Sequence, residues 1–181
     1  MGWLADAEKV DVAVYAAIAQ TPTPMLDRAM SRLSEAANYS RLSMASAALL
    51  AAFGGDTGKR AAAAGLASVA VTSAVVNLVV KPLGRRRRPD RTAQNVPIAR
   101  HVAMPGSSSF PSGHSAAAFA FATGVGRTMP QAAVPLRALA ALVAYSRVHT
   151  GVHYPGDVTI GSLIGGSVAQ ATTWGLERAR T

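Results

Sequence analysis

The chain has 181 residues, room for one domain with a substantial core, and no boundary in it marks a second. Half of it is hydrophobic but only 6% is aromatic and 15% charged, so its apolar content is mainly alanine, valine and leucine, which suits close-packed helices in a membrane. The lack of cysteine excludes disulfides and thiolate metal sites, and the net charge of +9 is densest at Arg85 to Arg88 with Arg91, a block that reads as a solvated loop or as a contact for anionic lipid heads. Nucleic acid is disfavoured because no aromatic stacking groups interleave those cations.

Residues 3–20 place Trp3, Leu4, Val10, Val14, Tyr15 and Ile18 at roughly helical spacing against Asp6, Glu8, Lys9 and Asp11, which predicts an amphipathic helix along a membrane or capping a bundle. Those acidic residues stand where a secretory signal needs a basic start and an unbroken apolar run, so membrane insertion is expected from the body of the chain. Thr21-Pro22-Thr23-Pro24 ends the helix, because a residue before proline is pushed out of the helical region. Residues 25–40 repeat the pattern, with Met25, Leu26, Met30, Leu33 and Ala36 against Asp27, Arg28, Arg32 and Glu35. The expected organisation is a single domain in two parts: N-terminal amphipathic helices over 1–41 and a membrane-embedded part over 42–181.

Leu42 to Phe53 is apolar or small and stops at Gly54-Gly55-Asp56; it is short beside the ~20 residues that a span usually takes. Ala61 to Val80 carries no charge between Arg60 and Lys81 and is read as a transmembrane helix. Residues 81–112 form a polar connection holding the arginine block, Asp90, Asn95, His101 and Gly106 followed by three serines, a length of loop that is usually functional or disordered. Three further apolar stretches follow, at 115–125, 134–145 and 158–174; in the last, Gly161 and Gly165 stand four apart, a weak sign of close helix approach. The fold expected is all-α: a multi-pass transmembrane helical bundle of five helices starting near residues 42, 61, 113, 134 and 157. That count puts the loops 81–112 and 146–157 on one face.

The polar residues of that face suit phosphate. Lys81, Arg88 and Arg147 are cations at the ends of apolar helices, where a buried charge needs an anionic partner. Ser112-Gly113-His114 opens an apolar helix after Pro111, so its amides are expected to be free to cradle an anion. His153 precedes Asp157 by four residues, which lets a carboxylate hold one ring nitrogen and leaves the other as a nucleophile, with His114 free to act as an acid. Two histidines with different partners can divide phosphoryl transfer between attack and protonation. His149 is read as structural and His101 as a loop histidine. A metal set of His149, His153 and Asp157 is the weaker alternative.

Lys81 with Arg88-Pro89, Pro111-Ser112-Gly113-His114, and Ser146-Arg147 with His153 and Asp157 together resemble the three-part signature of the type 2 phosphatidic acid phosphatase family, over roughly residues 60–175. The resemblance implies a membrane phosphatase that needs no metal or other cofactor. His153 would become the phosphohistidine, Asp157 would orient it and His114 would protonate the leaving group. Lys81, Arg88, Arg147, Ser112 and the Gly113 amide would hold the phosphate. The partners implied are the bilayer and a lipid or polyprenyl phosphate. In style the chain resembles actinobacterial members acting on decaprenyl-phosphoryl-phosphoribose, while phosphatidylglycerophosphate, phosphatidic acid and undecaprenyl diphosphate stay open. Two other classes are carried: a vanadate-dependent haloperoxidase, against which the uncharged run 61–80 argues, and a non-catalytic protein that binds anionic lipid through its arginines.

The location expected is a bacterial inner membrane. Lys9, Arg28, Arg32, Arg41, Arg85, Arg86, Arg87, Arg91 and Arg100 fall on the site face, against Lys59, Arg60, Arg127, Arg137, Arg178 and Arg180 opposite, a balance that favours a cytoplasmic site. The sequence carries no mark of oligomeric state.

Overall fold

All regular structure among the described residues is helical. The computed structural model describes residues 2–179, with Leu4 by its backbone alone, so the Leu4 side chain and Arg180 lie outside the described residues. Helix α1, Trp3–Gln20, ends where expected: the Thr21 amide and hydroxyl both donate to the Ala17 carbonyl, at 3.2 and 2.7 Å, in place of another helical turn. Helix α2 is Pro24–Ala36, with proline in its first turn, where the missing N–H costs nothing.

The second helix is shorter than the 25–40 pattern suggested. Its successor is a 3-10 turn, Asn38–Ser40, in which Tyr39 and Ser40 take left-handed φ angles of 56° and 55°. Two residues in that region cannot extend a right-handed helix, so the chain reverses into α3, Arg41–Phe53. Gly55, at φ 59°, makes the next turn, a conformation that glycine adopts without a Cβ penalty.

Helix α4 runs over Gly55–Leu83, 29 residues, and among the described residues it is the one helix long and apolar enough to cross a membrane. It starts six residues ahead of Ala61, because Asp56 complements the dipole of its first turn and extends the start past the charged Lys59 and Arg60. Near its end Val75–Val80 winds as a π-helix, a register change frequent at functional sites. The connection that follows has one 3-10 turn, Ile98–Arg100, and an Asx turn in which Asp90 accepts the amides of Thr92 and Ala93.

Helices α5 (Gly113–Thr128), α6 (Pro130–His149) and α7 (Pro155–Arg178) complete the bundle. The stretch 146–157 is therefore not one loop. Ser146 to His149 is the last turn of α6, capped by Thr150, whose amide and hydroxyl return to the Ser146 carbonyl; Gly151, at φ 68°, then turns the chain, and Pro155 starts α7. Helix α5 packs very closely between α4 and α7. A Cβ on Gly124 would meet Ser68 Oγ at 2.5 Å, and one on Gly161 would meet the Ser112 carbonyl at 2.5 Å, with Gly165 set tighter still against Ala116. The Gly161 and Gly165 spacing does mark a close helix contact.

Candidate active site

The connection 81–112 and the end of α6 meet, as the shared face required. Arg88 Nη1 donates to the Val152 carbonyl at 2.7 Å and to His153 Nε2 at 3.2 Å, while its Nε donates to the Ser107 carbonyl at 2.9 Å. A guanidinium can only donate, so Nε2 presents its lone pair and the ring proton sits on Nδ1. There it faces Asp157 Oδ2 at 3.4 Å. Asp157 thus pairs with His153 and not with His149, which instead bonds Asp27 at 3.0 Å and Tyr145 at 3.3 Å; among the described residues no three metal-ligating side chains converge. His101 is a loop histidine bonded to the Val96 carbonyl.

Asp157 is buried and fully occupied. Its Oδ2 also accepts Ser109 Oγ at 2.5 Å and the Tyr154 amide at 2.9 Å, and its Oδ1 accepts Arg86 Nη1 at 3.1 Å. Arg86 in turn pairs with Asp11 of α1 at 2.5 Å and lies over the Tyr154 ring, 4.1 Å from its centroid. Asp11 also accepts the Gly156 amide at 2.6 Å. Burial weakens the charge on Arg86, but its two carboxylate partners raise its pKa above the usual arginine value. The carboxylate thus has beside it a cation that the motif spacing did not pick out.

Two further cations lie near these groups. Lys81 Nζ donates to Ser107 Oγ at 3.1 Å, and Ser107 is also bonded by Arg88, so one serine bridges two cations. Arg147 is 1% exposed; its Nη1 donates to the Ser34 carbonyl and hydroxyl at 3.0 and 2.7 Å, and its Nε is buried without any partner. An orphaned guanidinium N–H of that kind is costly unless an anion completes it. The anion cradle is narrower than expected, since the Ser112 amide donates to the Asp157 carbonyl at 2.9 Å and Ser112 Oγ caps α5 by accepting from Ser115. Gly113 and His114 still supply first-turn amides that have no intrahelical acceptor.

His114 is oriented by a residue outside all three motifs. Its Nε2 lies 3.0 Å from Asn38 Oδ1 in the 3-10 turn, so Nε2 donates there and Nδ1 is left for a reacting group. A cleft of about 190 Å³ opens beside it, bounded by the 3-10 turn, α3, α4, α5 and α6 and reaching Lys81, Gly113 and His114. The arrangement can bind a tetrahedral oxyanion, attack it from a buried imidazole and supply a proton opposite. Asn38, Ser34 and Asp11 carried no signal in the sequence, being single residues far from the motifs they serve. Arg86 carried a faint one, in that alternate members of an extended arginine run point the same way.

Known proteins share sequence and fold with this chain. Decaprenylphosphoryl-5-phosphoribose phosphatase of Mycobacterium tuberculosis is 38% identical over 112 residues, 58% of each chain. Lipid A 1-phosphatase of Rhizobium etli is 34% identical over 104 residues, 55% of this chain and 43% of that one. The chain thus spans little more than half the length of the curated relatives it matches. The crystal structure of LpxE from Aquifex aeolicus superposes with a TM-score of 0.74 over 90% of this chain and 94% of that one, at 23% identity. A transmembrane phosphatidylglycerolphosphate phosphatase from Bacillus subtilis superposes at 0.71 over 96% and 87%, also at 23% identity, so both share the fold. The model of the PAP2 superfamily matches residues 62–180, well over half of the chain, and the chain belongs to that superfamily.

Proposed function

We propose that the protein is a multi-pass membrane phosphatase that hydrolyses the phosphomonoester of a lipid or polyprenyl substrate through a phosphohistidine. The observation that carries this is the buried His153, held by Asp157 on Nδ1 and presenting Nε2 to Arg88 among converging cations. In the first step Nε2 of His153 attacks phosphorus and the bond to the leaving oxygen breaks; His114, which enters the cycle protonated on both ring nitrogens, gives that oxygen its Nδ1 proton. In the second, His114 takes a proton from water, the water oxygen attacks the phosphohistidine, and phosphate leaves with His153 restored. Lys81, Arg88, Arg147 and the Gly113 amide stabilise the equatorial oxygens, and Ser112 supports the start of α5. Arg88 is the gate to the nucleophile, since substrate phosphate must draw it off Nε2.

Exposed apolar side chains on the bundle, among them Phe53, Leu78, Val134, Leu163 and Trp174, support a bilayer around α3 to α7. In this reading those five helices are membrane-embedded, and α1 and α2 lie at the surface with Trp3, Val10 and Met25 toward lipid. The location is the bacterial inner membrane, with the site on the cytoplasmic face by charge balance. The likeness to the mycobacterial enzyme makes decaprenylphosphoryl-5-phosphoribose the first substrate to try.

The test is phosphate release from a panel of lipid and polyprenyl phosphates by the purified protein in detergent. His153→Ala is expected to lose at least ~10⁴-fold in turnover, the scale of covalent catalysis removed with its nucleophile, and to trap no acid-labile phosphoenzyme. Release from no member of the panel, or equal release by His153→Ala, overturns the reading.

A further inference from the structure

The cleft beside His114 is lined by His114 and not by His153, so a leaving group protonated by His114 would depart into it if the phosphatase reading above holds, and the inference rests on that reading. Its wall is not what a hydrocarbon chain alone would need. Ser40, Ser43, Thr72, Ser73 and Asn77 line it.

These groups are held out toward the space. In an apolar helix a serine or threonine ordinarily returns its hydroxyl to the carbonyl one turn back, and Ser68, Ser162, Thr172 and Thr173 all do so. Thr72 and Ser73, on the same helix as Ser68, do not. The Thr72 hydroxyl is buried with no partner, and those of Ser40, Ser43 and Ser73 have none among the described residues. Asn77 gives one amide hydrogen to the Ser73 carbonyl at 2.9 Å and keeps its oxygen uncommitted. Ser73, Asn77 and Lys81 recur every four residues on the one helix apolar enough to cross a bilayer, and the π-helical turn Val75–Val80 lies between Ser73 and Lys81. Polar side chains left without partners on such an apolar helix are where a ligand is expected to bind.

We infer that this cleft is a subsite for a polyhydroxylated leaving group. The substrate is then a phosphomonoester borne on the sugar of an amphiphile, not one borne directly on an acylglycerol or a prenyl alcohol. The free hydroxyls and the Asn77 carbonyl exchange hydrogen bonds with the sugar, and Val76 and its apolar neighbours cover the ring faces. A site built to hydrogen-bond its substrate rejects an analogue lacking those groups more strongly than an apolar pocket rejects an added hydroxyl.

The experiment compares kcat/KM of the full chain in detergent for decyl glucoside 6-phosphate and for hexadecyl phosphate, then repeats the pair with Asn77→Leu and Ser73→Ala. The sugar phosphate is expected to be preferred by at least ~10-fold, and each substitution to lower that ratio by roughly 3- to 10-fold, as one lost hydrogen bond would. The ratio is internally controlled, since the alkyl phosphate reports folding and chemistry in each variant; should Asn77→Leu be inactive on both, Ser73→Ala decides. Release from both substrates at a ratio near one, or a ratio the variants leave unmoved, overturns the subsite alone. Release from neither overturns the phosphatase reading and the subsite with it.

Discussion

His153 has a partner on each ring nitrogen yet almost no contact with water. Burial pushes its pKa down from 6.5 to about 4; the hydrogen bond with Asp157 opposes that shift, and the charges of Arg88 and Arg147 add to it. The ring therefore stays neutral and nucleophilic as the pH falls through 6.5. Phosphate-protectable acylation of His153 is expected to lose rate near pH 4, and a loss centred at 6.5 would contradict the geometry. Between those values the unfolded chain takes up a proton that the folded one refuses, so stability falls as the pH falls. The unfolding midpoint is expected to drop across that window more steeply in the wild type than in His153→Gln. His114 depends in a comparable way on Asn38. Asn38→Ala is expected to cut kcat by about tenfold with little change in KM, a part of the 10²–10⁴ that acid catalysis supplies, and Asn38→Gln to restore some of it.

At the scale of elements, the three motifs were legible because each packs its chemistry into a few consecutive residues at a helix end. The supports were not, because they come from single side chains of α1, α2 and the 38–40 turn. Arg85 to Arg88 shows the limit well: four identical residues carry no phase, and only the extended backbone turns Arg86 and Arg88 inward while Arg85 and Arg87 stay exposed. Helix α2 is the clearest support. Its Ser34 holds Arg147, and its Asp27 joins Arg100 at 2.8 Å and His149 at 3.0 Å, with Arg100 also donating to the Ile18, Ala19 and Thr21 carbonyls at the end of α1. Arg100 is fully buried, so removing its carboxylate leaves an uncompensated charge. Asp27→Ala is expected to destabilise by about 3–5 kcal/mol, read as a fall in the unfolding midpoint, and Asp27→Ala with Arg100→Met to recover part of it.

For the whole molecule, apolar runs located the helices and their order, but whether each crosses the membrane depends on a lipid boundary that periodicity does not encode. Packing is plainer. On two sides α5 meets its neighbours through glycine, at Gly124 toward α4 and at Gly161 and Gly165 toward α7. Gly165→Ala would drive a methyl into the Ala116 backbone, which cannot yield as a flexible side chain would. A loss of about 1–3 kcal/mol or more is expected, measured as detergent-phase unfolding, together with reduced activity as His114 and Asp157 are forced apart. Those seams have a consequence for traffic. A bulky amphiphile cannot part α5 from α4 or α7 without breaking backbone-to-backbone contact, so both flanks are closed to it. The side bounded by α3 and α6, where Leu42, Ala118, Leu139 and Val143 line a narrow continuation of the cleft, is left as the doorway. For the proposed phosphatase this means a lipid substrate entering sideways through that doorway, its head turning inward before its tail has left the bilayer.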